Sequence, residues 1–124
     1  MRGFGHLEEA VMRRMWDRGT AAATVREILE DLRQERDIAY TTVMTVMDAL
    51  YKKGWLRREP AGRAYRYTAA ATREQYAADL MREDLHESGD RLAALTHFVG
   101  RMTLEEAATL REALTSYERR IAGR

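Results

Sequence analysis

Tyr40-Thr41-Thr42-Val43-Met44-Thr45-Val46-Met47-Asp48-Ala49-Leu50-Tyr51-Lys52-Lys53-Gly54-Trp55-Leu56-Arg57-Arg58-Glu59-Pro60-Ala61-Gly62-Arg63-Ala64-Tyr65-Arg66-Tyr67-Thr68 changes its hydrophobic period once. Up to Lys53 the apolar positions 43, 46, 47 and 50 recur at helical intervals. From Trp55 to Glu59, and again from Ala64 to Thr68, apolar and polar residues alternate roughly as in a strand. Pro60-Ala61-Gly62-Arg63 between the two runs is turn chemistry. The spacing predicts a helix that begins near Thr41 or Thr42 and ends at Lys53, with Gly54 as its stop. A β-hairpin follows directly. Lys52 and Lys53 fall in the last helical turn, where positive charge complements the helix dipole.

Toward the N-terminus two more helices precede this unit. Leu7, Val11 and Met15, with Met12 and Trp16 beside them, predict a helix from His6 to Arg18, which Gly19 ends. Thr20 to Ala23 reads as a short connector. Thr24-Val25-Arg26-Glu27 is a capping box, and Val25, Ile28, Leu29 and Leu32 form the stripe of the helix it opens. That helix fades in the charged run from Arg33 to Asp37. Three helices followed by a hairpin is the order of a winged helix-turn-helix. The fold class expected is therefore mainly α with a small β-hairpin.

Toward the C-terminus everything reads as helix. Thr72-x-x-Gln75 opens one carrying Ala77, Leu80, Met81 and Leu85, and Ser88-Gly89-Asp90 breaks it. Leu92, Leu95, Phe98 and Val99 stripe a shorter one that loosens at Gly100. Thr103-x-x-Glu106 caps a last helix, on which Ala107, Leu110, Leu114, Tyr117 and Ile121 alternate steps of three and four, the seam of paired helices. Residues 1–71 are expected to form a winged-helix DNA-binding domain and residues 72–124 a helical dimerisation domain. The stripes Leu80/Met81/Leu85, Leu95/Phe98/Val99 and Leu110/Leu114/Tyr117/Ile121 leave too much apolar surface for a free arm. They predict a homodimer with a shared core.

Composition narrows the chemistry. The chain has 124 residues, no Cys, three His and one Pro. Without Cys there is no disulfide framework, thiolate zinc site or Cys nucleophile. The longest apolar run is Leu92 to Leu95, too short to span a bilayer, and no apolar signal segment follows Met1-Arg2-Gly3. The expectation is a cytoplasmic protein that does not itself bind membrane. Overall, 21 basic residues nearly balance 20 acidic ones. Residues 40–71 hold Lys52, Lys53, Arg57, Arg58, Arg63 and Arg66 against Asp48 and Glu59, a net charge of +4. A local basic stripe in a near-neutral chain is the footprint of a polyanion site.

On a helical wheel Thr41, Thr45, Asp48 and Lys52 lie opposite the apolar stripe, with Thr42 and Met44 at its flanks. Small uncharged groups near one end and cations near the other suit a helix entering the major groove. Thr41, Thr42 and Thr45 are the candidates for base edges. Asp48 would repel a phosphate, so it either accepts from a cytosine amino group or pairs with Arg or Lys. Arg63 sits at the hairpin tip, where it can enter a minor groove or clamp a phosphate. Tyr40, Lys52, Lys53, Arg57, Arg63 and Arg66 are the candidates for the DNA backbone. One strand face is expected to pack on the helices through some of Trp55, Tyr65 and Tyr67, with Trp55 and Leu56 read as core. Catalysis has no constellation to rest on. His6, His86 and His97 lie in three different helices, no pair has metal-ligand spacing, and no Gly-rich loop cradles phosphate. No enzyme activity, cofactor or metal is expected.

The segments Asp37–Met47, Leu50–Leu56 and Arg63–Tyr67, with Leu7–Met12 and Met15-Trp16, resemble the penicillinase-repressor family (the BlaI/MecI type, with its copper-responsive CopY branch). The actinobacterial branch is the most similar. The resemblance covers nearly the whole chain. It implies a winged-helix repressor that dimerises through C-terminal helices and binds a palindromic operator of double-stranded DNA, in some members at β-lactam-responsive genes. In those members a membrane sensor-protease pathway inactivates the repressor by a cut in the dimerisation domain. The matching segment is Leu95-Thr96-His97-Phe98-Val99, and the implied cut falls between His97 and Phe98. Copper-responsive members sense through C-terminal Cys pairs, a mode that a chain without Cys excludes. The rival reading is a winged-helix interaction module whose basic wing docks on an acidic protein.

Overall fold

The computed structural model describes residues 4–123. Three helices come first: α1 (His6–Asp17), α2 (Val25–Arg33) and α3 (Tyr40–Lys52). A hairpin of β1 (Leu56–Ala61) and β2 (Ala64–Ala69) follows, then α4 (Arg73–Glu87), α5 (Arg91–Gly100) and α6 (Leu104–Ala122). This is a winged helix-turn-helix followed by further helices. The chain divides into two compact units, one reaching to Met81 and the other starting from Arg82.

In the first unit the apolar stripes meet in one core. Val11, Met12 and Met15 come from α1, Ile28, Leu29 and Leu32 from α2, and Val43, Met47 and Leu50 from α3. Leu56 and Tyr67 close it from the hairpin. Each fully buried side chain of this size contributes about 1.5–3 kcal/mol. The capping box at Thr24 forms as its spacing requires. The Thr24 hydroxyl accepts from the Glu27 N–H at 3.2 Å, and the Glu27 carboxylate accepts from the Thr24 N–H at 3.0 Å.

Two boundaries differ from those the sequence predicts. Helix α3 starts at Tyr40, because Ala39 adopts the extended N-cap conformation without offering a side-chain acceptor. Thr41 and Thr42 thus lie inside the helix rather than at its edge. The turn is also shorter than the four-residue cluster suggests. Pro60 pairs with Tyr65 and Ala61 with Ala64, leaving Gly62-Arg63 as a two-residue loop. Pro60 is tolerated because β1 is an edge strand. Gly62 has φ of +67°, the left-handed conformation that such a tight loop demands.

Gly54 ends α3 with φ of +87°. Its N–H donates to the Tyr51 carbonyl at 3.0 Å and the Trp55 N–H to the Leu50 carbonyl at 2.9 Å, the paired bonds of a Schellman stop. The connector before α2 does more than join helices. Ala23 is fully buried and exchanges backbone hydrogen bonds of 2.9 and 2.8 Å with Tyr67, adding a bridge on the β2 side of the hairpin.

The first two turns of α4 belong to the first unit because Tyr76 is packed there. Its ring stacks on Phe4 at 4.1 Å and meets Trp55 edge-on at 5.2 Å, and its hydroxyl accepts from the Phe4 N–H at 2.7 Å. Trp16 completes this aromatic group and donates from Nε1 to the Ala71 carbonyl at 2.9 Å.

In the second unit the helix starts are well made and the core is missing. Asp90 caps α5 by accepting from the Ala93 N–H, and Thr103 and Glu106 form a capping box on α6. No residue of α4, α5 or α6 reaches full burial. Leu85 and Leu110 are half-buried, whereas Leu92, Leu95, Phe98, Val99, Leu114, Tyr117 and Ile121 are exposed; on the part of α4 that belongs to the first unit, Leu80 is half-buried and Met81 exposed.

Candidate nucleic-acid interface

The face of α3 turned away from the core carries Thr41, Met44, Thr45, Asp48 and Lys52, while Thr42 and Val46 sit half-buried at its edges. Thr45 Oγ1 donates to the Thr41 carbonyl at 2.9 Å. Its proton is therefore held within the helix, and it offers outward a lone pair and a methyl group. Met44, 43 % exposed, stands between the two threonines in sequence and adds an apolar group to the same surface.

Strand alternation sorts the cations of the wing. Leu56, Arg58 and Pro60 share one face of the ladder with Tyr65, Tyr67 and Ala69. That face packs on the helices through Leu56 and Tyr67. Arg57 and Arg66 are on the other face, opposite Thr68 and Glu59 respectively. Arg63 occupies the tip. Tyr65 is 41 % exposed and Tyr67 buried, so Tyr67 is the phenol that packs. Arg66 also lies near α2. The Glu27 carboxyl is held below its ordinary value first by the Thr24 backbone N–H, with the charges of Arg18 and Arg66 adding to it.

Asp48 is paired. Its carboxylate takes Lys52 at 3.0 Å and Arg58 at 2.8 Å. The hydrogen bonds from Lys52 and then Arg58 hold its pKa below the ordinary aspartate value. Lys53 is occupied as well, with Nζ 2.6 Å from Glu8 Oε2 on α1. Lys52 and Lys53 thus point into two different partnerships, whereas among the described residues Arg57 and Arg63 form no ion pair.

Three residues outside the sequence-derived set belong to this region. Arg26, near the start of α2, places its guanidinium 5.5 Å from the centre of the Tyr40 ring, and so adds a cation beside the start of α3. Met44 was legible from the wheel as a flanking position. Arg58 needed the register of the hairpin, because alternation alone does not say which of two consecutive arginines faces α3. The described residues contain no group of His, Cys, Asp and Glu able to hold a metal, and no helix long and apolar enough to cross a membrane. Small uncharged groups on an exposed helix, flanked by cations on a wing, can read base edges and hold phosphates.

Known proteins match this chain over most of its length. The family model described as Penicillinase repressor matches residues 4–116. The transcriptional regulator BlaI of Mycobacterium tuberculosis, in two strains, is 45 % identical over 117 residues, covering 92 % of this chain and 84 % of that protein. An uncharacterised 16.5 kDa protein of Latilactobacillus sakei is 37 % identical over 62 residues, half of this chain and 41 % of its own. Among solved structures, Streptococcus pneumoniae FabT in complex with DNA aligns over 98 % of this chain and 78 % of its own, at 16 % identity and a TM-score of 0.47.

Proposed function

The chain belongs to the penicillinase repressor family, and from that premise we propose that it acts as a homodimer on a palindromic operator and is released by a cut in its C-terminal helices. As a member of that family it is a DNA-binding transcriptional repressor and not an enzyme. The observation that carries the operator reading is the exposed, uncharged row Thr41–Met44–Thr45 on α3, next to a wing with Arg63 at its tip.

Thr41, Thr42 and Thr45 face base edges in this reading. Thr45 acts as a hydrogen-bond acceptor or through its methyl group, since its proton is already given to Thr41. Tyr40, Lys52, Lys53, Arg57, Arg63 and Arg66 hold the DNA backbone. Lys52 and Lys53 do so in competition with Asp48 and Glu8, which a phosphate displaces. Leu80, Met81 and Leu85 of α4, with the apolar stripes of α5 and α6, supply the dimer interface, and two half-sites about one helical turn apart, or a multiple of that, match its two-fold symmetry. His97 and Phe98 lie inside the ten-residue α5, and Phe98 is exposed. Cleavage between them removes α6 and its seam while leaving the first unit whole. The family's description, penicillinase repressor, supports a penicillinase gene as the target; in this reading the gene is β-lactam-responsive and a membrane-sensor pathway is the source of the protease.

Selection of duplexes from a random pool tests the operator reading. The protein should recover an inverted repeat, bind it with a steep salt dependence, and ignore a scrambled duplex. Thr45→Ala should reduce discrimination between the two duplexes by about 1 kcal/mol. Arg63→Ala should weaken binding to both and flatten the salt slope by about one unit. Recovery of no duplex, with capture of acidic proteins instead, would favour a protein-docking wing. Identical behaviour of the two variants would refute the division between base reading and backbone holding.

A further inference from the structure

Arg58 differs from every other cation of the wing in what surrounds it. Its guanidinium carbon lies 3.9 Å from the centre of the Tyr51 ring on α3 and 4.1 Å from that of the Tyr65 ring on β2. One planar cation therefore contacts a ring of the recognition helix and a ring of the wing. Nη1 donates to Asp48 Oδ1 at 2.8 Å, three residues before Tyr51 on the same helix. Only 20 % of the Arg58 side chain is exposed. The ladder places it on the strand face that carries Leu56 and Tyr67 into the core, whereas Arg57 is on the opposite face.

A cation that waits for a phosphate keeps its donors in water. A guanidinium stacked on aromatic rings and hydrogen-bonded to a carboxylate has its geometry fixed by the protein. We propose that Arg58 is a positioning residue, which ties the wing to the recognition helix so that Arg63 and Thr45 meet the same duplex together. On its β1 side the wing is seated by Leu56, buried in the core, and Arg58 adds a tie nearer the tip. The Ala23–Tyr67 bridge fastens it along β2, and β1 is the edge strand. The same arrangement accounts for Asp48. A carboxylate on a DNA-facing helix repels phosphates, and here its charge is offset by Arg58, which stays with it when Lys52 turns to the DNA backbone, while it orients the guanidinium.

The inference rests on DNA binding by the winged helix, and a double-mutant cycle separates the two. Using the full chain and a duplex recovered by the wild type, affinity and salt slope are measured for wild type, Arg58→Ala, Arg63→Ala and the double variant. Arg58→Ala should weaken binding about tenfold, and by clearly less when Arg63 is already alanine, because the foremost group it positions is then gone and only Arg57 and Arg66 of the wing remain to be held. The double variant should have the salt slope of Arg63→Ala. Arg58→Lys keeps the charge but offers no plane to the two rings, so it should be as weak as Arg58→Ala. Tyr65→Leu changes no charge and opens one side of the stack. It should reproduce the same cycle, and it carries the test if Arg58→Ala does not fold. Additive losses, a further unit off the salt slope, or rescue by lysine would overturn the proposal and make Arg58 a phosphate contact. Absence of duplex binding by the wild type would sink the DNA reading itself.

Discussion

The winged-helix unit and the C-terminal helices carry apolar stripes of the same kind, yet only the first closes on itself. On α2 every residue of the stripe Val25, Ile28, Leu29 and Leu32 is buried. On α6 Leu114, Tyr117 and Ile121 remain about half exposed, at 53 %, 54 % and 46 %. The difference lies in what the chain offers each stripe. In the first unit α1, α2, α3 and the hairpin provide facing surfaces for one another. In the second the caps at Asp90 and Thr103 satisfy the helix starts, and no residue is buried behind them. A helical stripe therefore tells that a face has to be covered, and not by what. A contiguous apolar surface of this kind is a mark of association.

The largest effect should come from uncovering the second region. Leu114→Asp places a charge in the proposed seam, and light scattering at micromolar concentration should report a monomer. Truncation after His97 removes Phe98 and α6 together. The fragment should stay folded by circular dichroism and sediment as a monomer. It should bind the full operator at least about tenfold more weakly, which is roughly 1.4 kcal/mol, because the second half-site is no longer presented at high effective concentration. A truncated chain that still dimerises and holds the operator like the intact one would remove dimerisation as the regulated step.

The next effect sharpens the contrast between the regions. Met47 is fully buried in the core of the first unit, so Met47→Ala leaves a cavity and should destabilise that unit by about 2–5 kcal/mol at any protein concentration. Leu114→Ala should instead lower a melting temperature that depends on concentration, since its contribution is made only in the associated state. Differential scanning calorimetry over a hundredfold range of concentration distinguishes the two behaviours.

Much of the first region was legible because its signals are local. The stripes of α1, α2 and α3, the Thr24 box and the Gly54 stop all lie within a few residues of what they specify. The start of α3 at Tyr40 was hidden because Ala39 caps by backbone conformation alone. The Ala23–Tyr67 bridge joins residues far apart in sequence, and nothing in Thr20–Ala23 announces a strand partner. The same is true of the candidate site. Periodicity placed Thr41, Thr45 and Lys52 on one face of α3, but the partners of the cations are long-range. Lys53 is held by a residue of α1, and Arg58 rather than Arg57 turns toward α3 through the register of the ladder. Tyr76 reads as an ordinary residue of an amphipathic helix until Phe4 and Trp55 are seen around it.

The smallest effect tests which task Lys53 performs in the first region. Glu8 is mostly buried. Its Oε1 accepts from the Gly5 N–H at 3.1 Å, and its Oε2 takes Lys53 at 2.6 Å. The hydrogen bond from Lys53 is the leading reason its pKa lies below the ordinary glutamate value, against the opposing effect of burial. A carboxyl whose folded pKa is depressed contributes stability that is present above its unfolded pKa and is lost as pH falls through the folded one. Lys53→Met should therefore lower the stability of the first unit at pH 7, by less than about 1 kcal/mol because the ammonium is largely exposed. The deficit should shrink as pH falls below the ordinary glutamate range and through the lowered pKa of Glu8, where the wild-type carboxyl is protonated too. Thermal melts of both proteins across that range measure it. A deficit that persists at low pH would assign it to lost packing of the lysine stem. No deficit at any pH would free Lys53 from α1 and leave its charge wholly to the DNA backbone.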